Sequence, residues 1–251
     1  LVDHFTYVIA GDGDLMEGVS HEAISLAGHL RLAKLIVLFD DNRISIDGPT
    51  ELTVSDDQLA RFQASGWDVA RVDGHDPTAI TAALAAARKS ATPSLIACRT
   101  VIGYGAPKKA GTAATHGSPL GADEIAGARE KLDWPHAAFT VPMHILDTWR
   151  AAGRRGSRNR SQWEARLKKS MSRPEFERRL SGHLPEGWAA AISDAKRKFT
   201  AEPPKIATRQ ASGEVLEALM PVVPELIAGS ADLTGSVNTR TKAVELLSAR
   251  N

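Results

Sequence analysis

FTYVIAGDGDLMEGVSHEAISLAGHLRLAKLIVLFDDN, residues 5–42, decides the fold. Phe5 to Ala10 is rich in β-formers and stops at Gly11-Asp12-Gly13. Val19, Ala23, Leu26, Ala27 and Leu30 then recur at steps of four, three, one and three, the period of one helix face. Leu35 to Phe39 is an unbroken apolar run, as in a strand buried on both faces, and it ends in Asp40-Asp41-Asn42. Strand, helix and strand predict one βαβ unit.

The alternation continues downstream. Ser55 is the expected N-cap of a helix, with Asp56 and Asp57 complementing its dipole. Val69 and Val72 mark a short strand, Thr78 to Ala87 an Ala-rich helix, and LIACRTVI (95–102) a buried strand. The pattern predicts an α/β fold, a parallel sheet covered by helices on both faces. Residues 103–122 read as a Gly-rich loop and 123–132 as a helix. Residues 145–200 read as mostly polar helix, with breaks at Gly153, Gly156 and Ser157. Pro203-Pro204 signals a linker. Beyond it, Val215, Leu216, Leu219 and Met220 suit a helix, and ELIAGSADL (225–233) suits a strand. One helix and one strand cannot close a core. The expected domains are therefore 1–175, a linker at 176–205, and an incomplete second α/β unit at 206–251. Leu1 carries no preceding Met or basic leader, so the chain is expected to start within a longer protein.

The chain has 251 residues, with 43% hydrophobic and 24% charged, which excludes wholesale disorder, collagen and coiled coil. No apolar run approaches the ~18 residues of a membrane span, so no membrane partner is expected. The single cysteine, Cys98, excludes an intramolecular disulfide and a Cys-only zinc site, and fits a reducing compartment. The net charge of +1 hides a local excess: residues 150–180 hold eleven Lys and Arg against three acids. That block has few aromatics and no groove-reading motif. It reads as a solvated helix face rather than a nucleic-acid surface.

Gly11-Asp12-Gly13 stands between a strand and a helix, where open α/β sheets bind ligands. A dinucleotide loop would need glycine at Met16, and a Walker loop would need lysine at Val19. Asp12 beside a diphosphate would be repulsive without a cation between them, so it points to a hard divalent metal. Asn42, at the end of the next strand, is a candidate second donor. One carboxylate, one amide oxygen and one backbone carbonyl would leave Mg²⁺ room for phosphate oxygens. Alone, Gly11-Asp12-Gly13 would be a tight turn and Asp41-Asn42 a cap. Their spacing makes a site of them.

GDGDLMEGVSHEAISLAGHLRLAKLIVLFDDNRISIDG (11–48) resembles the thiamine-diphosphate motif of transketolases. TVIGYG (100–105), THGSPLG (115–121), ATRQASGEVLEAL (207–219) and ELIAGSADLTGS (225–236) match in order. The resemblance implies that Asp12, Asn42 and the Ile44 carbonyl hold Mg²⁺, with Ca²⁺ or Mn²⁺ as substitutes. It makes Gly11, Gly13 and the neighbouring amides the diphosphate cradle. Ile46 and Ile102 would flank the cofactor rings. His116 would reach the diphosphate and substrate and serve catalysis. Glu17 would lie at a subunit contact near the cofactor, and Asp232 would be supplied by the partner subunit near the thiazolium ring. Arg209 and Ser236 would bind the sugar phosphate. Asp14 stands where many members have Cys, a position that is not a ligand. His21 and His29 are expected to be structural or exposed, and His75 has no assigned role.

The implied activity is reversible transfer of a two-carbon ketol unit between sugar phosphates, in a cytoplasmic homodimer using thiamine diphosphate. The missing upstream histidines and the rest of the pyrimidine-binding domain imply that this chain alone would not turn over substrate. Alternatives are dihydroxyacetone synthase, 1-deoxyxylulose-5-phosphate synthase, or a non-catalytic cofactor-binding half of a split enzyme.

Overall fold

The structure is a computed structural model that describes residues 1–250. The chain divides into two units, essentially 2–148 and 149–247.

In the first unit, β1 (Thr6–Gly11) leads into α1 (Asp12–Met16) and α2 (Gly18–His29), then β2 (Leu35–Asp41). A hairpin of β3 (Ile44–Ser45) and β4 (Gly48–Pro49) follows, and then α3 (Gln58–Ala64), β5 (Asp68–Asp73), α4 (Pro77–Ala87), β6 (Ser94–Arg99) and α5 (Ala122–Lys131). The main sheet has the order β1-β2-β6-β5, and all its pairs are parallel. Handedness explains where the helices lie. The chain steps in one direction from β1 to β2 and on to β5, and α1, α2 and α3 cover one face. It then steps back to β6, and the right-handed crossover puts α4 on the other face.

Two apolar clusters mark those faces. Leu15, Ile24, Phe62 and Trp67 pack on Val37, Phe39, Leu95 and Ala97. Phe62 and Trp67 meet edge-on at 4.9 Å, and the Trp67 Nε1–H donates to the Ile24 carbonyl at 2.9 Å. Gly28 permits this close approach, since a Cβ there would lie 1.8 Å from the Ser65 carbonyl oxygen. On the opposite face Ala83, Leu84 and Ala87 of α4 pack on Ile36, Ile96 and Cys98. That cover stops short of the β1 edge, where Ile9 is 82% exposed.

The N-cap of α3 is Asp57, which accepts from the Ala60 N–H at 3.1 Å, rather than the expected Ser55. A carboxylate two residues closer to the apolar face wins the cap.

α6 (Met143–Lys169) passes through Gly153, Gly156 and Ser157 without the expected breaks. Each glycine costs a helix only about 1 kcal/mol, and good helix formers flank both. In the second unit follow α7 (Arg173–Leu180), α8 (Trp188–Ala201), α9 (Thr208–Leu219) and the short α10 (Thr234–Val237). Lys198 and Glu214 pair at 3.0 Å between α8 and α9. The strand expected at 225–233 does not form. No partner ladder exists there to satisfy its backbone, among the described residues, and Ile227 stays exposed. Among the described residues no helix is long and apolar enough to cross a membrane.

Candidate functional site

Parallel register places Gly11 beside Asp40, Asp40 beside Cys98, and Asp41 beside Arg99. The carboxyl ends of β1, β2 and β6 therefore coincide, and the chain leaves each through a polar turn. A cavity of about 650 Å³ lies there. Gly11, Asp12, Gly13, Asn42, Ile44, Ile46, Ile102 and His116 all line it. These residues come from four separate segments, and the sheet brings them together.

The turn after β2 is tightly organised. Asn42 Oδ1 accepts from the Ile44 N–H at 2.8 Å, and its Nδ2 donates to Asp40 Oδ2 at 3.0 Å. Arg43 takes a left-handed conformation at φ 62°. Its N–H donates to Asp12 Oδ2 at 3.2 Å, which joins the two expected metal donors through one peptide. The Thr50 N–H bonds to the Arg43 carbonyl at 3.0 Å. Alternation along the β3–β4 pair then turns the Ile44 carbonyl away from Pro49.

Carboxylates crowd this corner. Burial first, then Asp41 and Asp40, push the Asp12 carboxyl up to about 6, against the Arg43 N–H bond that lowers it. Asp41 is buried and paired with Arg99 at 3.2 Å. The Asp12 carboxylate keeps an oxygen free, and the Asn42 carbonyl keeps a lone pair. A half-buried acid beside like charges, with vacant oxygen donors, fits a divalent cation. Among the described residues no three His, Cys, Asp or Glu side chains form a metal cluster. An ion here would draw on amide and backbone oxygens as well.

Asp14, read as a position that is not a ligand, makes a backbone bond of its own. Its Oδ2 accepts from the Gly11 N–H at 2.8 Å, and it lines the cavity. The amide expected to open the diphosphate cradle is thus already occupied, and a negative charge sits next to it. The following amides, of Asp12 and Gly13 in the first turn of α1, have no helical acceptor.

The loop after β6 brings Ile102 and His116 together. The Gly111 N–H donates to the Ile102 carbonyl at 2.8 Å, and the His116 N–H to the Ala113 carbonyl at 3.0 Å. Gly103 (φ 64°) lies so close to Thr115 that a Cβ would stand 2.7 Å from its Cγ2. Two residues without an assigned role also shape this loop. His75 Nε2 accepts from the Val101 N–H at 3.0 Å, and its ring stacks on Tyr104 at 4.1 Å. The buried Glu124 accepts from the Lys108 and Lys109 N–H groups. Neither stands in a motif, so only the folded loop reveals them.

The remaining expected site residues lie elsewhere. Glu17 is exposed at the junction of α1 and α2. Arg209, Asp232 and Ser236 belong to the second unit and are exposed, with Asp232 left-handed at φ 58°.

Comparison with known proteins places these features in a family. Residues 1–185 match the family model of the transketolase thiamine diphosphate binding domain, and residues 204–249 that of the transketolase pyrimidine binding domain. Transketolase of Cereibacter sphaeroides is 52% identical over 244 residues, covering 97% of this chain and 37% of that protein. Transketolase 2 of Escherichia coli is 49% identical over 243 residues, covering 94% of this chain and 36% of that protein. Among solved structures, Pichia stipitis transketolase in complex with sedoheptulose-7-phosphate superposes with a TM-score of 0.84 at 41% identity, covering 96% of this chain and 36% of that one. The chain thus spans a little over a third of the length of these relatives. Its sheet, its family-model matches and its identity to these proteins together establish that the chain belongs to the transketolase family.

Proposed function

We propose that the cavity at the carboxyl edge of the sheet holds thiamine diphosphate with Mg²⁺, or Mn²⁺ or Ca²⁺ in its place. The whole protein would then transfer a two-carbon ketol unit reversibly from a ketose phosphate to an aldose phosphate. The carrying observation is the convergence of Asp12, Asn42, Ile102 and His116 on one cavity. Thiamine diphosphate, when bound, supplies the nucleophilic carbon chemistry of that reaction.

The chain's own residues have distinct tasks. Asp12, Asn42 and the Ile44 carbonyl hold the cation, which relieves the repulsion among Asp12, Asp40 and Asp41. The amides opening α1 meet the diphosphate. Ile46 and Ile102 provide apolar walls; Ile46, now 72% exposed, has surface to bury there. His116 holds or moves a proton near the substrate, a task an imidazole can perform from either ring nitrogen. Arg209 and Ser236 bind the sugar phosphate, Arg209 through a permanently charged fork. The bound sugar phosphate in the Pichia stipitis relative supports this substrate class. In a cytoplasmic homodimer, Asp232 would be supplied to the thiazolium ring of the cofactor held by the partner subunit, and Glu17 would lie at the subunit contact. The stretch 186–203, which neither family model covers, supports a linker in the later part of 176–205, the first model running on to 185.

Equilibrium dialysis against thiamine diphosphate and against thiamine, both with Mg²⁺, tests the reading. Retention of the diphosphate form at least about 100-fold more tightly is the expected result, because metal and amides both act on phosphate. Equal retention of the two would contradict it.

A further inference from the structure

We infer that Glu124 is the positioning residue that sets the Lys109–Leu120 loop, and with it His116, against the cavity. Glu124 lies in the first turn of α5 and is only 8% exposed. Its Oε2 accepts from the Lys108 N–H at 3.0 Å and from the Lys109 N–H at 3.1 Å. A carboxylate with two backbone donors is a charge-assisted clamp, stronger than a neutral contact. Those donors also hold its carboxyl below the usual glutamate range, the Lys108 N–H most of all.

The same lysine closes the loop from its other end. Lys109 Nζ donates to the Leu120 carbonyl at 2.7 Å. Lys109 is therefore fixed through its backbone to Glu124 and through its side chain to the residue before Gly121. The excursion between them contains His116. Its internal bonds are local: Thr112 N–H to the Lys109 carbonyl, Thr115 N–H to the Thr112 carbonyl, and His116 N–H to the Ala113 carbonyl. Such short turns fix the loop's shape but not its place. Gly111 to Ile102, Lys109 to Glu124 and Leu120, and the close packing of Thr115 on Gly103 fix its place. α5 also seats tightly on the segment before Lys108, since a Cβ on Gly127 would stand 2.2 Å from Pro107 Cγ. Glu124 touches neither the cavity nor any expected ligand contact, so it acts through the loop.

This inference rests on the proposed cofactor site for its consequence but not for its geometry, and the test separates the two. Amide hydrogen exchange is followed in the ligand-free chain for wild type, Glu124→Ala and Glu124→Gln, with β6 amides as the folding control. The expected result for Glu124→Ala is about tenfold or faster exchange at Lys108 and Lys109, and also at Gly111 and His116, with β6 unchanged. Glu124→Gln keeps one oxygen able to accept both bonds and is expected to stay near wild type. Unchanged exchange at Gly111 and His116 in Glu124→Ala would overturn the inference. If Glu124→Ala fails to fold, Lys109→Met removes the Leu120 bond alone and is expected to raise exchange at His116; wild-type exchange there would overturn it equally. The same variants are titrated with thiamine diphosphate and Mg²⁺. About tenfold weaker binding by Glu124→Ala, restored by Glu124→Gln, is expected. Absence of binding by wild type would count against the cofactor site, while the exchange data still decide the clamp.

Discussion

The Arg43 N–H donates to Asp12 Oδ2 at 3.2 Å, across 31 residues of sequence. This bond locks the exit of β1 to the exit of β2. It holds Asp12 among Asp40 and Asp41 at an energetic cost that a bound cation would remove.

Replacement of Asp12 by Asn follows from that cost. The amide oxygen still accepts from Arg43, but the charge is gone. An acid whose folded pKa is raised destabilises the fold when ionised. Asp12→Asn should therefore stabilise the ligand-free chain at neutral pH, by about 1 kcal/mol once solvent screening is allowed for. It should also lose Mg²⁺-dependent cofactor binding. Thermal melts with and without Mg²⁺ read both effects, and a destabilised ligand-free variant would contradict the electrostatic account.

Asp14 competes with the expected diphosphate for the Gly11 N–H. Asp14→Cys frees that amide and removes a negative charge. Thiamine diphosphate with Mg²⁺ should bind roughly tenfold tighter, the worth of one charged hydrogen bond or repulsion. Unchanged or weaker affinity would mean that Asp14 does not oppose the ligand.

Two glycines should respond in opposite directions to alanine. Gly28→Ala puts a Cβ against the Ser65 carbonyl and should cost roughly 3 kcal/mol, the upper range of overpacking. Gly153 lies inside α6 with nothing within 4 Å of a new Cβ, so Gly153→Ala should gain about 0.5–1 kcal/mol. Urea unfolding measures both, and a neutral Gly28→Ala would contradict the packing at that crossing.

The second unit should be acid-sensitive. Hydrogen bonds from Arg178, and next from Arg179, lower the Glu175 carboxyl from 4.5 to about 2. A lowered folded pKa stabilises above the unfolded value. That contribution is complete above about 4.5 and is lost as pH falls toward about 2. Carbon-detected NMR titration of Glu175 should give the low value in wild type and a rise toward the ordinary value in Arg178→Gln. An ordinary value in wild type would contradict the network.

The convergence of several candidate residues on one cavity was legible in the sequence because they sit at element ends. Gly11, Asp12 and Asn42 close predicted strands, and a parallel sheet must align those ends. Ile102 was read as the end of a buried strand, which in the structure stops at Arg99, and His116 was legible only through motif resemblance, since a Gly-rich loop has no periodicity to place it. Glu124 and His75 were not legible at all: each bonds to backbone amides, and amides leave no trace in composition. The 225–233 segment misled for a related reason. An apolar run predicts a strand only where another strand can pair with it, and the described residues of that unit provide none.

Calorimetric titration of thiamine diphosphate tests the central claim most directly, with Mg²⁺, with chelator, and on Asp12→Ala. Saturable binding that requires both Mg²⁺ and Asp12 is the predicted result. Binding that survives chelator or the loss of Asp12, or none at all by the folded wild-type chain, would contradict the metal-bridged diphosphate site.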